Sequence, residues 1–428
     1  MVESISSRRI SQRKADQQDR YYGWLIVGSC FCLTLTLGET MWTFGVFFKP
    51  LQQEFGWSRA LVSSIFTAFL LGYSISVIAS GRLVDRYNPK PVLLFSALLI
   101  ISGFCLCSVA ATINHFRLFL FLVGLGSGAT WTVPNATVQR WFYGKKGAGL
   151  ALGIVTSGVG AGALVFAPLI NFLIQDYGWR TTFLTLGILY GLVVVVATLV
   201  LRPVSRDGMG KRSDGKDPHA NGVKVPSRNQ LYASWGFAAI LFVTVVGVFV
   251  FHVVSTHMIP HATDVGISPA AAAAALGLMG GFSIPGRLLS GLFSARLGWH
   301  LLLSLSYFGT GASMAFLWFL RDLWMLHLFA FFYGLFHGVR MSAQVGLLSQ
   351  VFGTRFLGEL IGITSAAGQL ISALAPYAAG ALFDATGSYS FAFLSVFLLL
   401  IAGGVIAGLI KRIGAGSNRY LSNKGRPA

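Results

Sequence analysis

The sequence predicts an all-α membrane protein whose twelve transmembrane helices form two six-helix halves. Three observations carry that prediction. The 428 residues are 54% hydrophobic and 11% charged, whereas soluble proteins carry about a quarter charged residues. Apolar runs recur along the whole chain, and a helix needs ~20 such residues to cross a bilayer. The second half also repeats landmarks of the first. Gly81, Arg86, Gly124, Gly128 and Phe142 recur 210 positions later as Gly291, Arg296, Gly334, Gly338 and Phe352.

The elements follow in order. Residues 1–21 are polar and read as a tail. The apolar run after them is too long for a signal-peptide h-region, so no cleaved leader is expected. Segment one, 22–48, carries Glu39 and the pair Cys30 and Cys32. Segment two, 60–82, leads through a charged loop to segment three, 91–112, with Cys105 and Cys107. A Cys-x-Cys pair on a helix points its thiols to different faces, so the four read as small apolar fillers and not as a metal site. Segment four, 116–138, contains Thr130-Trp131-Thr132-Val133-Pro134-Asn135. Segment five, 147–173, has Gly149, Gly153, Gly158, Gly160 and Gly162, spaced for close helix packing. Segment six is 181–201, and 203–232 is polar with no apolar run, so it reads as a linker. Segments seven to twelve are 233–258, 269–294, 299–319, 323–346, 358–382 and 389–410. The expected units are a tail over 1–21, one half over 22–202, the linker, a second half over 233–411 and a tail over 412–428.

The loops repeat as well. Phe48-Lys49-Pro50 and Phe55-Gly56-Trp57-Ser58-Arg59-Ala60 return as Met258-Ile259-Pro260 and Val265-Gly266-Ile267-Ser268-Pro269-Ala270. Near the end of each half the offset becomes 208, where Ala167-Pro168, Asp176 and Phe183 match Ala375-Pro376, Asp384 and Phe391. Six helices per repeat give both halves the same orientation, and such parallel repeats place a site near the midplane between them.

The net charge of +18 does not signal nucleic acid. With a cytoplasmic N-terminus, 25 of the 32 Lys and Arg fall in cytoplasmic segments and five, Lys49, Arg59, Arg117, Arg180 and Arg321, fall outside. This is the positive-inside pattern, with both termini cytoplasmic in a multi-pass protein of the cytoplasmic (inner) membrane. The basic excess also suits contact with anionic lipid. Arg287 and Arg340 remain within the membrane.

A guanidinium in the bilayer costs at least ~2.5 kcal/mol and cannot shed its proton. Arg287 lies in Leu278-Met279-Gly280-Gly281-Phe282-Ser283-Ile284-Pro285-Gly286-Arg287, with apolar sequence continuing beyond it. Its expected role is to hold a visiting anion; the alternative is an Arg snorkelling to the headgroups. Arg340 is expected either to pair with Glu39 or to touch the anion as well. Proton coupling needs a titrating group, and His257 suits it. Glu39 is the rival, since a buried carboxylate is readily protonated. His252 lies on another face and His261 in the outside loop. Ser283, Tyr333, Asn135, Ser365 and Gln369 are candidate neutral donors, and Trp131 and Phe336 a candidate apolar wall. Asn135 has a second reading, bonding a carbonyl that Pro134 frees in its own helix.

Gly81-Arg82-Leu83-Val84-Asp85-Arg86-Tyr87-Asn88-Pro89-Lys90 resembles the G-x-x-x-D-R-x-G-R-[RK] loop of major facilitator transporters. The resemblance implies the major facilitator fold and a conformational latch at Gly81, Asp85 and Arg86. Trp141-Phe142-Tyr143-Gly144-Lys145-Lys146-Gly147-Ala148-Gly149-Leu150-Ala151-Leu152-Gly153-Ile154 resembles the Y-F-x-K-R-R-x-L-A-x-G-[LI] signature of the monocarboxylate transporter family. Tyr22-Gly23-Trp24 is similar to that family's opening of segment one, and His257-Met258-Ile259-Pro260 to the end of segment seven in bacterial members. Gly286-Arg287-Leu288 falls where the family carries its substrate Arg. Animal members have a Lys in segment one, where this chain has Trp42, and an acid four residues before the segment-eight Arg, where it has Ser283. Their proton relay is therefore absent in that form.

Together these features imply proton-coupled symport of a small monocarboxylate of the lactate and pyruvate class, by a monomer, without cofactor or metal. The alternatives are an anion exchanger for oxalate-like dicarboxylates, which Arg340 suits if Glu39 does not neutralise it, an exporter of drugs, or a metabolite sensor that does not transport. The chain lacks clustered acids, a Ser-His-Asp arrangement and a nucleotide-binding loop, so an enzyme is not expected.

Overall fold

The computed structural model describes residues 2–86, 88–142, 147–201, 232–352 and 357–423; the side chains of 2–20, 85–86, 148, 357–359 and 411–423 lie outside that description. The expected linker, but for Tyr232, and the end of the C-terminal tail fall outside it too. The described residues are almost wholly helical. The first span is α1 (Val2–Trp42) and α2 (Phe44–Phe55), followed by α3 (Arg59–Arg86), α4 (Pro89–Ser108) and α5 (Ile113–Phe142). α6 (Ala148–Val200) has 53 residues. At 1.5 Å per residue it is about 80 Å long, enough for two crossings, and it breaks at Gly178 (φ 79°, ψ 162°), between spans five and six. The second half has α7 (Trp235–Asp264), α8 (Pro269–Leu297), α9 (Trp299–Trp318), α10 (Leu323–Phe352), α11 (Leu357–Ser372), α12 (Ala375–Thr386) and α13 (Ser390–Asn423). α11 and α12 together make span eleven. Among the described residues ten stretches are long and apolar enough to cross a membrane. The stretch over 149–200 counts as two, and α10 completes twelve.

Local chemistry sets the boundaries. Asn88 caps α4 by accepting from Lys90 N–H at 3.0 Å, with Pro89 at the first turn. Ser234 and Ser268 cap α7 and α8 in the same way. α2 and α12 end on Gly56 (φ 65°) and Gly387 (φ 69°), left-handed positions that glycine occupies without strain. Several helices outrun the apolar segments by one or two turns. α7 continues to Asp264, so His261 lies on this helix and not in a loop, with Nε2 3.0 Å from Leu317 O. Helix needs only paired backbone, whereas apolarity marks what meets lipid or core.

The sequence repeat is also a packing repeat. A Cβ on Gly124 of α5 would lie 2.1 Å from Phe69 O of α3. A Cβ on Gly334 of α10 would lie 2.3 Å from Met279 O of α8, and both pairs are related by 210 positions. In α6 the glycines divide by face. Gly158 and Gly162, four apart, press on α1 at Phe31 O and Leu35 O, while Gly160 presses across the divide on Gly280 of α8. Gly149 and Gly153 meet nothing within 4 Å, so the expected packing stripe covers only part of the helix.

Candidate functional site

Arg287 sits past the middle of α8, toward the face that carries both chain ends. It is half-buried. Its Nη1 donates to the main-chain oxygen of Thr156 in α6, a bond that crosses between the halves. Its Nε is buried and has no hydrogen-bond partner. α10 presses on this part of α8: a Cβ on Gly338 would lie 2.0 Å from Ser283 O and 3.0 Å from Arg287 N. That contact fixes the depth of the guanidinium.

Other expected site residues fall in different places. Tyr333 is 1% exposed and stacks on His337, with ring centroids 6.0 Å apart. Gln369 Oε1 lies 2.8 Å from His252 Nε2. Ser365 and Trp131 are half-buried. Ser283 is no free donor in this conformation, because it is fully buried and its hydroxyl donates to Gly280 O at 2.6 Å. Asn135 donates to Trp131 O at 2.7 Å, within α5, so its amide is spent on its own helix, although the carbonyl that Pro134 leaves without a helical donor is that of Thr130. Phe336 does not face the divide; its ring packs on α9, 2.4 Å from where a Cβ on Gly309 would be. Gly81 is half-buried, and the side chains of Asp85 and Arg86 lie outside the described residues.

The expected ion pair between Glu39 and Arg340 is absent from this conformation. Arg340 is 4% exposed and lies against Gly247 of α7, where a Cβ would be 2.4 Å from Nη1. Glu39 is 2% exposed and is held within its own half. Its Oε2 is 2.9 Å from Thr40 Oγ1 and its Oε1 2.9 Å from Thr43 Oγ1. Each hydroxyl also reaches a main-chain oxygen, Thr36 O at 3.1 Å and Glu39 O at 2.9 Å. A hydroxyl has one hydrogen, so each threonine divides its own between the carboxyl and a main-chain oxygen, and the buried Tyr190 hydroxyl also lies beside the carboxyl. Beside it lies a cavity of 20 Å³ that Thr40, Thr43, Phe44, Phe47, Phe66 and Phe69 help to line, room for about one water.

At the face opposite the chain ends the halves are bridged by charge. Lys49 and Arg59 both pair with Asp264, the latter at 2.5 Å. The Asp384 carboxylate accepts from the N–H groups of Arg59 at 2.9 Å and Ala60 at 2.8 Å. An acid of one half thus caps a helix of the other, where the helix dipole favours it. His257 is buried in this bridge. Its Nε2 is 2.8 Å from Pro376 O and 3.3 Å from Ser63 Oγ, and its Nδ1 is 2.9 Å from Tyr389 OH. A carbonyl only accepts, so Nε2 carries the hydrogen. Arg59 Nη1 donates to Tyr389 OH at 2.8 Å, so the tyrosine hydrogen goes to Nδ1. This neutral imidazole spends both nitrogens on the bridge and lies apart from Arg287. Toward the opposite face the bridging thins: a Cβ on Gly149, Gly153, Gly291 or Gly362 would meet nothing within 4 Å.

Sequence reasoning missed part of this. His337 packs edge-on against Trp42 of the other half, with centroids 5.3 Å apart. His252 was set aside by helical spacing, yet it is fully buried and its Nδ1 has no partner. The acids Asp264 and Asp384 lie beyond the ends of apolar segments seven and eleven, and hydropathy assigns them no role. The matching of Asp176 with Asp384 in the repeat was the one available signal that the latter has a set place.

Residues 30–321 match the Major Facilitator Superfamily. Monocarboxylate transporter 12 of Mus musculus is 25% identical over an alignment of 429 positions, covering 93% of this chain and 87% of that protein. The oxalate:formate antiporter of Oxalobacter formigenes is 24% identical over 212 positions, half of each chain. The crystal structure of a D-xylose-proton symporter superposes with a TM-score of 0.73 at 15% identity, covering 90% of this chain and 97% of that one.

Proposed function

Since this chain belongs to the Major Facilitator Superfamily, we propose that it carries a small organic carboxylate and a proton together across the membrane by alternating access. Arg287 carries the proposal. It is a membrane-embedded guanidinium with a buried, unpartnered Nε, and its one described hydrogen bond goes to a main-chain oxygen of the other half. A carboxylate arriving there takes the planar fork in two parallel bonds. It then competes with Thr156 O for Nη1, which links occupancy of the site to the contact between the halves. Lactate and pyruvate are the first members of that class to test, because relatives bear the name monocarboxylate transporter. Both termini are cytoplasmic in this scheme, as the basic residues require, and the bridge at Arg59, Asp264 and Asp384 is the outer gate.

Of the two proton candidates, Glu39 has the firmer support. It is 2% exposed with no cation paired to it among the described residues, and a lone acid in a membrane is expensive when ionised. His257 is satisfied in its neutral form and acts at the gate: a second proton would take Nδ1 from Tyr389 and add a cation beside Arg59. Exchange of anions without a proton is the second reading, favoured by the kinship with an oxalate:formate antiporter.

The test is uptake of radiolabelled lactate and oxalate into proteoliposomes with and without an imposed pH gradient. Accumulation that follows the gradient and collapses with a protonophore supports symport. Uptake that needs only anion preloaded inside supports exchange. Arg287→Ala and Arg287→Lys both lose most uptake by either route, since an ammonium lacks the fork; full activity in the Ala variant would remove the anion assignment.

A further inference from the structure

Arg340 is a second membrane-embedded cation, and no acid pairs with it among the described residues. Three of its acceptors lie at the outer limit of hydrogen bonding: Gln344 Oε1 and His337 Nδ1 at 3.5 Å and Met341 Sδ at 3.6 Å. Tyr307 gives its hydroxyl hydrogen to Val243 O, and its oxygen accepts from the guanidinium, a neutral contact that leaves the charge unbalanced. A guanidinium has five N–H donors, and contacts this long spend few of them. No Asp or Glu among the described residues forms an ion pair with Arg340 or Arg287. Glu39, the one acid deep in the membrane among them, is occupied by Thr40 and Thr43.

The two cations share a compartment. α8 and α10 touch at Ser283, Arg287 and Gly338, which sets Arg287 and Arg340 at similar depth. Each guanidinium lies within electrostatic reach of the other, and both lie within reach of His337. His252, also beside His337, adds a buried Nδ1 without a partner. Two like charges at one depth repel, and Arg340, 4% exposed, has lost most of its hydration. A single carboxylate neutralises one of them. Gly247 makes room for the Arg340 guanidinium itself, since a Cβ there would lie 2.4 Å from Nη1.

We propose that Arg340 is a second carboxylate subsite, so that the preferred substrate is a small dicarboxylate held between Arg287 and Arg340. This rests on the assignment of Arg287 as a carboxylate clamp. One carboxylate takes the Arg287 fork and the other the Arg340 fork, and His337 and His252 line the space around them with neutral nitrogen.

Binding of oxalate, malonate, succinate and lactate to the purified full chain in detergent, by calorimetry at fixed pH and ionic strength, tests it. At least one dicarboxylate should bind wild type at least about ten-fold more tightly than lactate, the gain expected of one added charge-assisted contact. Arg340→Gln should lose that preference and keep lactate affinity within a few-fold; Arg340→Lys, with charge but no fork, should lose part of it. Wild type that binds lactate as tightly as every dicarboxylate overturns the proposal without recourse to any variant. So does an Arg340→Gln protein that keeps the wild-type ratio. If Arg287→Gln leaves all four affinities unchanged, the clamp itself is misassigned; if it abolishes them while Arg340→Gln keeps the ratio, only the second subsite fails.

Discussion

At the residue scale, three charges embedded in the spans stand in two separate groups: Glu39 with its threonines in one half, Arg287 and Arg340 in the other. The separation suits a carrier that loads a proton and an anion at distinct places. In Glu39→Gln the amide mimics the protonated carboxyl, so folding and anion counterflow should persist while accumulation driven by a pH gradient falls to background. His257→Gln should instead slow every transport mode several-fold and keep the gradient response, because the ring ties Pro376, Ser63 and Tyr389 in the gate. Measuring gradient-driven uptake and counterflow side by side separates the two; lost gradient response in His257→Gln alone would move the proton to the imidazole. Arg287, Glu39 and His257 were legible in the sequence, since a polar group in an apolar run announces itself. Which groups touch was not. Glu39 with Arg340 was a reasonable pairing by charge, and the folded chain sets threonine hydroxyls of its own half against Glu39 in place of the cation, groups that every sequence contains.

At the element scale, α6 is the part whose behaviour depends most on single atoms. Gly162→Ala would set a Cβ 2.2 Å from Leu35 O of α1, within one half. Backbone cannot yield as a side chain does, and overpacking of this kind costs ~1–3 kcal/mol, so a lower melting temperature in detergent is expected. Gly160→Ala puts its Cβ 2.6 Å from Gly280 O of the other half. It should alter transport more than melting, because the halves slide there. Gly149→Ala and Gly153→Ala meet open space and should leave both measurements unchanged; a large melting shift in either would contradict the packing described. Sequence spacing placed all five glycines on one helix and implied that they pack. It could not tell which face meets a neighbour, because the partner helix lies more than a hundred residues away.

At the scale of the whole molecule, the twelve-helix plan was legible because membrane insertion writes it into hydropathy and because the repeat writes it twice. The conformation was not, since a carrier's sequence must serve more than one arrangement and none of its residues marks which one is seen. Here the halves are held together at the face opposite the chain ends. Asp384→Ala removes both acceptors of the α3 N-terminus and should favour parting on that face. With Cys30, Cys32, Cys105 and Cys107 replaced by Ser, a cysteine at Thr67, buried with an unpartnered hydroxyl, should react at least about ten-fold faster with an impermeant maleimide once Asp384 is Ala, since loss of even one of the two charge-assisted hydrogen bonds implies that much. Equal labelling rates would mean that apolar contacts and not charge keep this face shut. The capping of one half's helix by the other half's acid has a further consequence. When the faces part, Asp384, Arg59 and the first turn of α3 must all be hydrated, so solvent enters the opening step as a stoichiometric reactant. Polymers too large to enter the crevice lower the activity of water there and should slow turnover in proportion to osmotic pressure, while small solutes that penetrate should not. The carrier's speed is then set partly by how readily the medium gives up water, a property of the surroundings and not of the cargo.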